Sequence, residues 1–289
     1  MHARAVAATA TALLGTAALL VPAPDARAGS DRPTVIAHRG ASAYAPENTL
    51  DAVDKAAELG VDWVENDVQR TKDGELVVVH DDNLRRTTDV EEVFPDRAPW
   101  KVKDFTAAEI ARLDAGSWFD PAYADARVPT LKQFVDRVEL HHQELLLEIK
   151  NPELYPGIEQ QTLKVLDNEG WLDGPHLDGR LIVQSFSADS VRTVHELNPG
   201  VKTGLLGTPA VADLGRYAAF TDQINPSYGS ISTSYVASVH AIEGAHGRPL
   251  EVFTWTVNDA STARLVAGYG VDGIITNTPD VVRDAFPTE

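Results

Sequence analysis

From residue 29 onward, short apolar runs that end in polar residues alternate with stretches whose apolar positions recur at helical spacing. The runs at 34–37, 61–68, 145–149, 181–186, 202–206, 223–225, 252–257 and 273–276 read as strands. Between them, 49–59, 131–141, 157–168, 189–197, 211–220, 233–244, 260–267 and 280–286 read as helices. Eight strands alternating with eight helices predict an α/β fold, a single (β/α)8 TIM barrel.

One run does not fit the alternation. Residues 76–80 are strand-like but follow Val68 after a short stretch containing Lys72-Asp73-Gly74, a turn signal. A parallel crossover needs roughly a dozen residues or more. The run is therefore expected to be the return arm of a hairpin that carries His80 back beside Glu65 and Asp67. The next segment, about 83–128, is long and rich in aromatics and prolines, with one short helix expected near 107–113. Long segments of this kind are ordinarily functional or disordered, and aromatics argue for order. It is expected to be a cap-like insertion after strand 2, over the barrel mouth.

The first 28 residues change the picture of the mature chain. Arg4 opens an Ala/Leu-rich run that ends near Ala23, and Ala26-Arg27-Ala28 matches a small-x-small cleavage site. This predicts a secretory signal peptide cleaved after Ala28, an extracellular protein and no stable membrane anchor. Residues 29–289, about 260 in number, then form one domain of a size usual for a single barrel. Cysteine is absent, which excludes disulfides and thiolate metal sites and leaves carboxylate and imidazole as ligands. The net charge of −18 argues against nucleic acid and anionic membranes as primary partners.

Chemistry concentrates at strand ends. Glu65 and Asp67 are two apart on one strand, so both face the barrel interior near its C-terminal mouth, where active sites lie. Two inward carboxylates need compensation, and a hard divalent cation supplies it. Glu148 interrupts another apolar strand and is the natural third ligand. His38 and His80 each end an apolar run, and two such imidazoles beside carboxylates suggest a general acid–base pair. Arg39 offers a planar fork for phosphate oxygens. Lys150 adds a second cation, or alternatively a partner for Glu65 or Asp67. The set suits metal-assisted phosphodiester cleavage, with local cations drawing in an anion that the overall charge would repel.

The motifs His38-Arg39-Gly40, Pro46-Glu47-Asn48-Thr49, Glu65-Asn66-Asp67-Val68, Thr71-Lys72-Asp73-Gly74 and Val79-His80-Asp81 resemble the glycerophosphodiester phosphodiesterase family. Glu148-Ile149-Lys150, Gln184-Ser185-Phe186, Trp255-Thr256-Val257-Asn258 and Gly273-Ile274-Ile275-Thr276-Asn277 extend the match in order along nearly the whole mature chain. The resemblance implies a (β/α)8 barrel with one Ca²⁺ or Mg²⁺ at Glu65, Asp67 and Glu148. It implies His38 and His80 as acid and base, Arg39 and Lys150 on the phosphate, and Trp255 lining the glycerol or alcohol pocket. The substrate would be a small-molecule or polymeric glycerophosphodiester, cleaved to glycerol 3-phosphate and an alcohol through a cyclic phosphate. Two positions depart from the family pattern. Asn66 replaces an apolar residue and is expected to point outward, and Asn277 stands where the family often has Asp.

Two other readings are open. A related barrel of the spider-venom phospholipase D type, acting on sphingomyelin or lysolipids, would need an apolar track, which residues 100–123 could supply. A catalytically silent barrel would not need the complete His38/His80/Glu65/Asp67/Glu148 set.

Overall fold

The computed structural model describes residues 32–286, and the predicted signal peptide lies outside them. Eight parallel strands close on themselves: β1 (Thr34–Ala37), β2 (Trp63–Arg70), β4 (Glu144–Ile149), β5 (Leu181–Ser185), β6 (Lys202–Leu206), β7 (Gln223–Asn225), β8 (Glu251–Thr254) and β9 (Gly273–Thr276). β1 pairs with both β2 and β9, so the barrel leaves no open edge. β3 (Leu76–Val78) runs antiparallel to the end of β2, with Val68 opposite Val78 and Arg70 opposite Leu76. That is the predicted hairpin.

β2 starts and ends two residues later than expected. Its first part is a barrel strand in register with β4, and its last three residues belong to the hairpin ladder. One strand thus carries Glu65 and Asp67 inside the barrel and then supports the arm that returns to His80. β8 is shorter than expected. At Trp255 the chain leaves the β9 ladder, its indole Nε1 donating to Asn225 O at 2.8 Å.

Helices pack outside the strands. α1 (Leu50–Glu58) begins at Thr49, whose hydroxyl accepts from Ala52 N, and it buries Ala52, Val53 and Ala56 at helical spacing. α2 (Leu131–Leu140) begins with a Thr130–Gln133 capping box and buries Leu131, Phe134, Val135 and Val138. α3 (Ile158–Asn168) and α4 (Ala188–Leu197) follow β4 and β5. The expected helix at 211–220 is instead a turn at Val211–Asp213 and a short α5 (Leu214–Tyr217). α6 (Thr233–His240) stops short of its expected end because the chain reverses, with Glu243 bridging Pro249. α7 (Ala260–Ala267) and α8 (Pro279–Asp284) complete the ring.

Two large apolar clusters lie between strands and helices, one on each side of the barrel. The interior holds a smaller plug of Ile36, Leu146, Ile182, Phe253 and Ile275. The insertion has a separate core: Leu84, Val90, Val102, Phe105, Ile110 and Leu113 pack on Val77 and Val79 of the hairpin. It is ordered, as its aromatics suggested, and it is anchored on the hairpin's outer face.

The loop after β1 packs closely on α1. Gly40 has φ of +79°, and a Cβ there would lie 2.5 Å from Ala52 Cβ and 2.7 Å from Ala52 O of α1. Gly40→Ala therefore combines a left-handed backbone with a clash against a buried helix. Denaturant unfolding should show a loss of more than about 2 kcal/mol. A variant of native stability would show that this loop does not need the close approach.

Candidate active site

The ends of β1, β2, β4, β5 and β8 and the residue after the hairpin converge on one cavity of about 110 Å³. His38, Arg39, Glu65, His80, Glu148, Lys150, Gln184, Phe186 and Trp255 are among its lining residues. Asp67 completes a triad with Glu65 and Glu148, with one oxygen of each within 4.8 Å of the others. The structure thus brings together every site residue expected from the sequence.

The carboxylates are crowded and buried. Burial, reinforced by Asp67 and Glu148, holds Glu65 well above the ordinary carboxylate range. Burial and Asp67 push Glu148 up to about 8, even though Lys150 Nζ lies 2.7 Å from its Oε1. Burial would also raise Asp67, but Arg39, Lys150 and His80 reverse the effect and hold it below its usual value. Asp67 Oδ2 accepts from Asn48 Nδ2 at 2.8 Å and lies 3.2 Å from Arg39 Nε. Its Oδ1 is buried with no hydrogen-bond partner, and Lys150 Nζ is 3.7 Å away. An orphaned anionic oxygen beside two carboxylates driven toward protonation is a donor set suited to a hard divalent cation. Lys150 pairs chiefly with Glu148, a partner the sequence reading did not consider.

The histidines have different partners. His38 Nδ1 is 2.7 Å from Asn277 Oδ1. An amide oxygen only accepts, so Nδ1 carries the proton and Nε2 the lone pair. Burial, with help from Arg39, lowers His38 to about 4. His80 Nδ1 instead meets the Asp81 carboxylate at 2.7 Å. Burial would raise Asp81, but Arg86 and His80 hold it down at about 2.

Several residues that support the cavity's side chains escaped the sequence reading. Gln69, buried on β2, points its amide at three successive carbonyls, Val79 O and His80 O at 3.0 Å and Asp81 O at 2.6 Å. Its own Oε1 accepts from Tyr155 Oη. It shares the inward face with Glu65 and Asp67, and a polar residue at that alternation was the available signal. Glu47 and Arg86 form part of an ion-pair network that nothing in local spacing reveals. Asn66 faces the helix layer, as expected, but its amide is fully buried and unpartnered. The remaining histidines of the described residues lie outside the cavity. His176, His240 and His246 are paired with Asp173, Asp272 and Asp222.

The cavity walls on the open side are aromatic. Trp255 and the 54 % exposed Phe186 meet edge-to-face at 5.7 Å, and Lys150 Nζ lies 5.5 Å from the Phe186 ring centroid. No residue of the insertion lines the cavity. Trp100 packs against the insertion's own core, and Tyr123 Oη bonds Tyr44 O. The apolar track that a lipid phosphodiesterase would need from residues 100–123 is not at this cavity.

Comparison with known proteins agrees with this geometry. The family model described as Glycerophosphoryl diester phosphodiesterase family matches residues 38–281. A glycerophosphodiester phosphodiesterase of Bacillus subtilis is 35% identical over 265 residues, spanning 87% of this chain and 85% of the relative. One from Caldanaerobacter subterraneus subsp. tengcongensis is 37% identical over 251 residues, spanning 86% and 95%. Among solved structures, an Oleispira antarctica phosphodiesterase in complex with the product sn-glycerol-3-phosphate superposes with a TM-score of 0.72. It is 28% identical and covers 88% of this chain and 96% of its own.

The raised carboxyls have a consequence for stability. In the cation-free folded protein, Glu65 and Glu148 keep protons that the unfolded chain releases near 4.5. At these two groups the native state then binds more protons than the unfolded one, so they make stability fall as pH rises from 4.5 through about 8, opposed below 6.5 by His38, whose lowered value contributes the reverse slope. Melting curves in chelator should show this decline, Glu148→Gln should flatten it, and Ca²⁺ or Mg²⁺ should raise Tm most at the alkaline end. A wild-type profile without slope in that window would count against the crowded triad.

Proposed function

This chain belongs to the glycerophosphoryl diester phosphodiesterase family, and on that premise we propose a metal-dependent hydrolase that releases glycerol 3-phosphate and an alcohol. The observation that carries the reading is the pair of differently partnered histidines on one cavity with the acidic triad. Glu65, Asp67 and Glu148 would hold one divalent cation, Ca²⁺ or Mg²⁺. When bound, it offsets their charge and polarises a phosphoryl oxygen.

The protein's own groups account for the proton transfers. His38, neutral near pH 7 with Nε2 unprotonated, takes the proton of the glycerol 2-hydroxyl as that oxygen attacks phosphorus. The bond from phosphorus to the leaving alcohol breaks, and His80 donates a proton to the departing oxygen. Asp81 keeps the His80 ring oriented throughout. Water then attacks the cyclic phosphate with the roles exchanged. His80 accepts the water proton, His38 returns one to the 2-oxygen, and glycerol 3-phosphate is the product. Arg39 and Lys150 place positive charge at the cavity wall, where the phosphate would sit. Trp255 and Phe186 offer apolar faces to the glycerol or the alcohol.

We read residues 1–28 as an export signal, in keeping with the small-residue cleavage pattern and an acidic, cysteine-free chain. N-terminal sequencing of protein recovered from the medium should begin at Gly29, and retention of the segment would refute export by cleavage.

Turnover of glycerophosphocholine should fall by about 10²–10⁴-fold in His38→Ala and in His80→Ala, with the fold intact by circular dichroism. Chelator should abolish activity and a divalent cation restore it. A substrate methylated at the glycerol 2-oxygen should not react. Full activity in either histidine variant, or hydrolysis of the methylated substrate, would overturn the cyclic mechanism.

A further inference from the structure

The insertion lines no part of the cavity, yet one of its residues touches the site's supports on two sides. Arg86 sits just inside it, between buried Leu84 and buried Thr87, Thr88 and Val90. Thr88 Oγ1 donates to Leu84 O at 2.6 Å, and Leu84 N donates to Trp100 O at 3.0 Å, so this turn is pinned to the insertion's core. From there the guanidinium reaches two carboxylates. Nη1 and Nη2 donate to the two oxygens of Glu47, each at 2.8 Å. Nε donates to Asp81 Oδ2 at 2.7 Å, and Nη2 lies 3.3 Å from Asp81 Oδ1.

Each carboxylate leads into the site. Glu47 Oε1 also accepts from Arg39 Nη1 at 2.8 Å, and Arg39 faces Asp67 of the triad. Asp81 Oδ1 meets His80 Nδ1 at 2.7 Å. A continuous path therefore runs Asp67, Arg39, Glu47, Arg86, Asp81, His80. Its two ends are unequally dependent on Arg86. Arg39 is also tied by its backbone N–H to Glu65 Oε2 at 2.8 Å. The Asp81 carboxylate has only His80 and Arg86 as hydrogen-bond partners among the described residues.

We propose that Arg86 is a positioning residue for the reaction, acting through Asp81 to fix the His80 ring while Glu47 fixes Arg86 itself. This rests on the reading of His80 as a proton-transfer group. It requires arginine in particular, because only a planar fork can grip one carboxylate through its Nη edge and another through its Nε edge. The insertion then acts as the support that delivers this guanidinium. Groups that orient metal-bound imidazoles contribute about 10–100-fold to activity, and the same orienting role on a proton-transfer imidazole sets the scale expected here.

The test is a double-mutant cycle on kcat for glycerophosphocholine with wild type, Arg86→Ala, His80→Ala and the double variant. Arg86→Ala should lower kcat about tenfold or more with little change in KM, and it should cost nothing further once His80 is gone. The same fold loss in both backgrounds would show a merely structural role and overturn the proposal. Arg86→Lys, which keeps the charge and is less liable to disturb folding, should recover little, and full recovery would overturn the two-edged grip. If His80→Ala is itself fully active, the acid–base reading falls in that single variant. Any loss in Arg86→Ala then belongs to another role, and the proposal falls with it.

Discussion

Three buried carboxylates meet at the mouth of this barrel, with one oxygen of each within 4.8 Å of the others. Most of the surrounding structure answers that crowding. Like charges at such range cannot all remain ionised without compensation. Lys150 directly follows the strand that supplies Glu148, two residues on. Arg39 comes from the turn after β1 and faces Asp67 while its backbone N–H caps Glu65. Asn48 holds Asp67 from the other side. These neighbours leave Glu65 and Glu148 driven toward protonation and one oxygen of Asp67 without a partner, a deficit that a divalent cation would fill.

The same crowding reconciles the overall charge with the substrate class. A chain of net charge −18 repels a phosphodiester at long range. Within the cavity the balance differs, because Arg39 and Lys150 line it beside carboxylates that are partly neutralised. Low local polarity strengthens those short-range terms, while solvent and salt screen the distant surface. The histidines are supported by groups of their own. His38 is paired with an amide and kept neutral by burial, whereas His80 is held by a carboxylate that is itself gripped by Arg86.

Much of the frame was legible because its signals are local. The run at 34–37 and the runs at 202–206, 223–225 and 273–276 became strands with the expected bounds. The hairpin followed from chain length alone, since Thr71 to Gly74 leaves no room for a crossover helix. The errors fell where tertiary contacts override local pattern. β2 runs on past Val68 because β3 pairs with it, and β8 ends early as Trp255 turns away from the ladder. The helix expected at 211–220 breaks into short pieces.

The sequence by itself determined the alternation of strand and helix, the inward face of Glu65 and Asp67, and the position of His38 and His80 at the ends of apolar runs. Each depends on periodicity or on residues a few positions apart. Only the tertiary structure decided how those groups are supported. Asn277 reaches His38 across 239 positions, Arg39 and Arg86 meet on Glu47 from different segments, and Gln69 spans the hairpin to hold the backbone around His80. The first joins residues that closure of the barrel brings together, and the others depend on how the hairpin and the insertion pack, so no helical or strand periodicity encodes them. The insertion shows this most plainly. Its composition announced an ordered segment, but only its packing on the hairpin placed Arg86 behind His80 rather than a lid over the mouth.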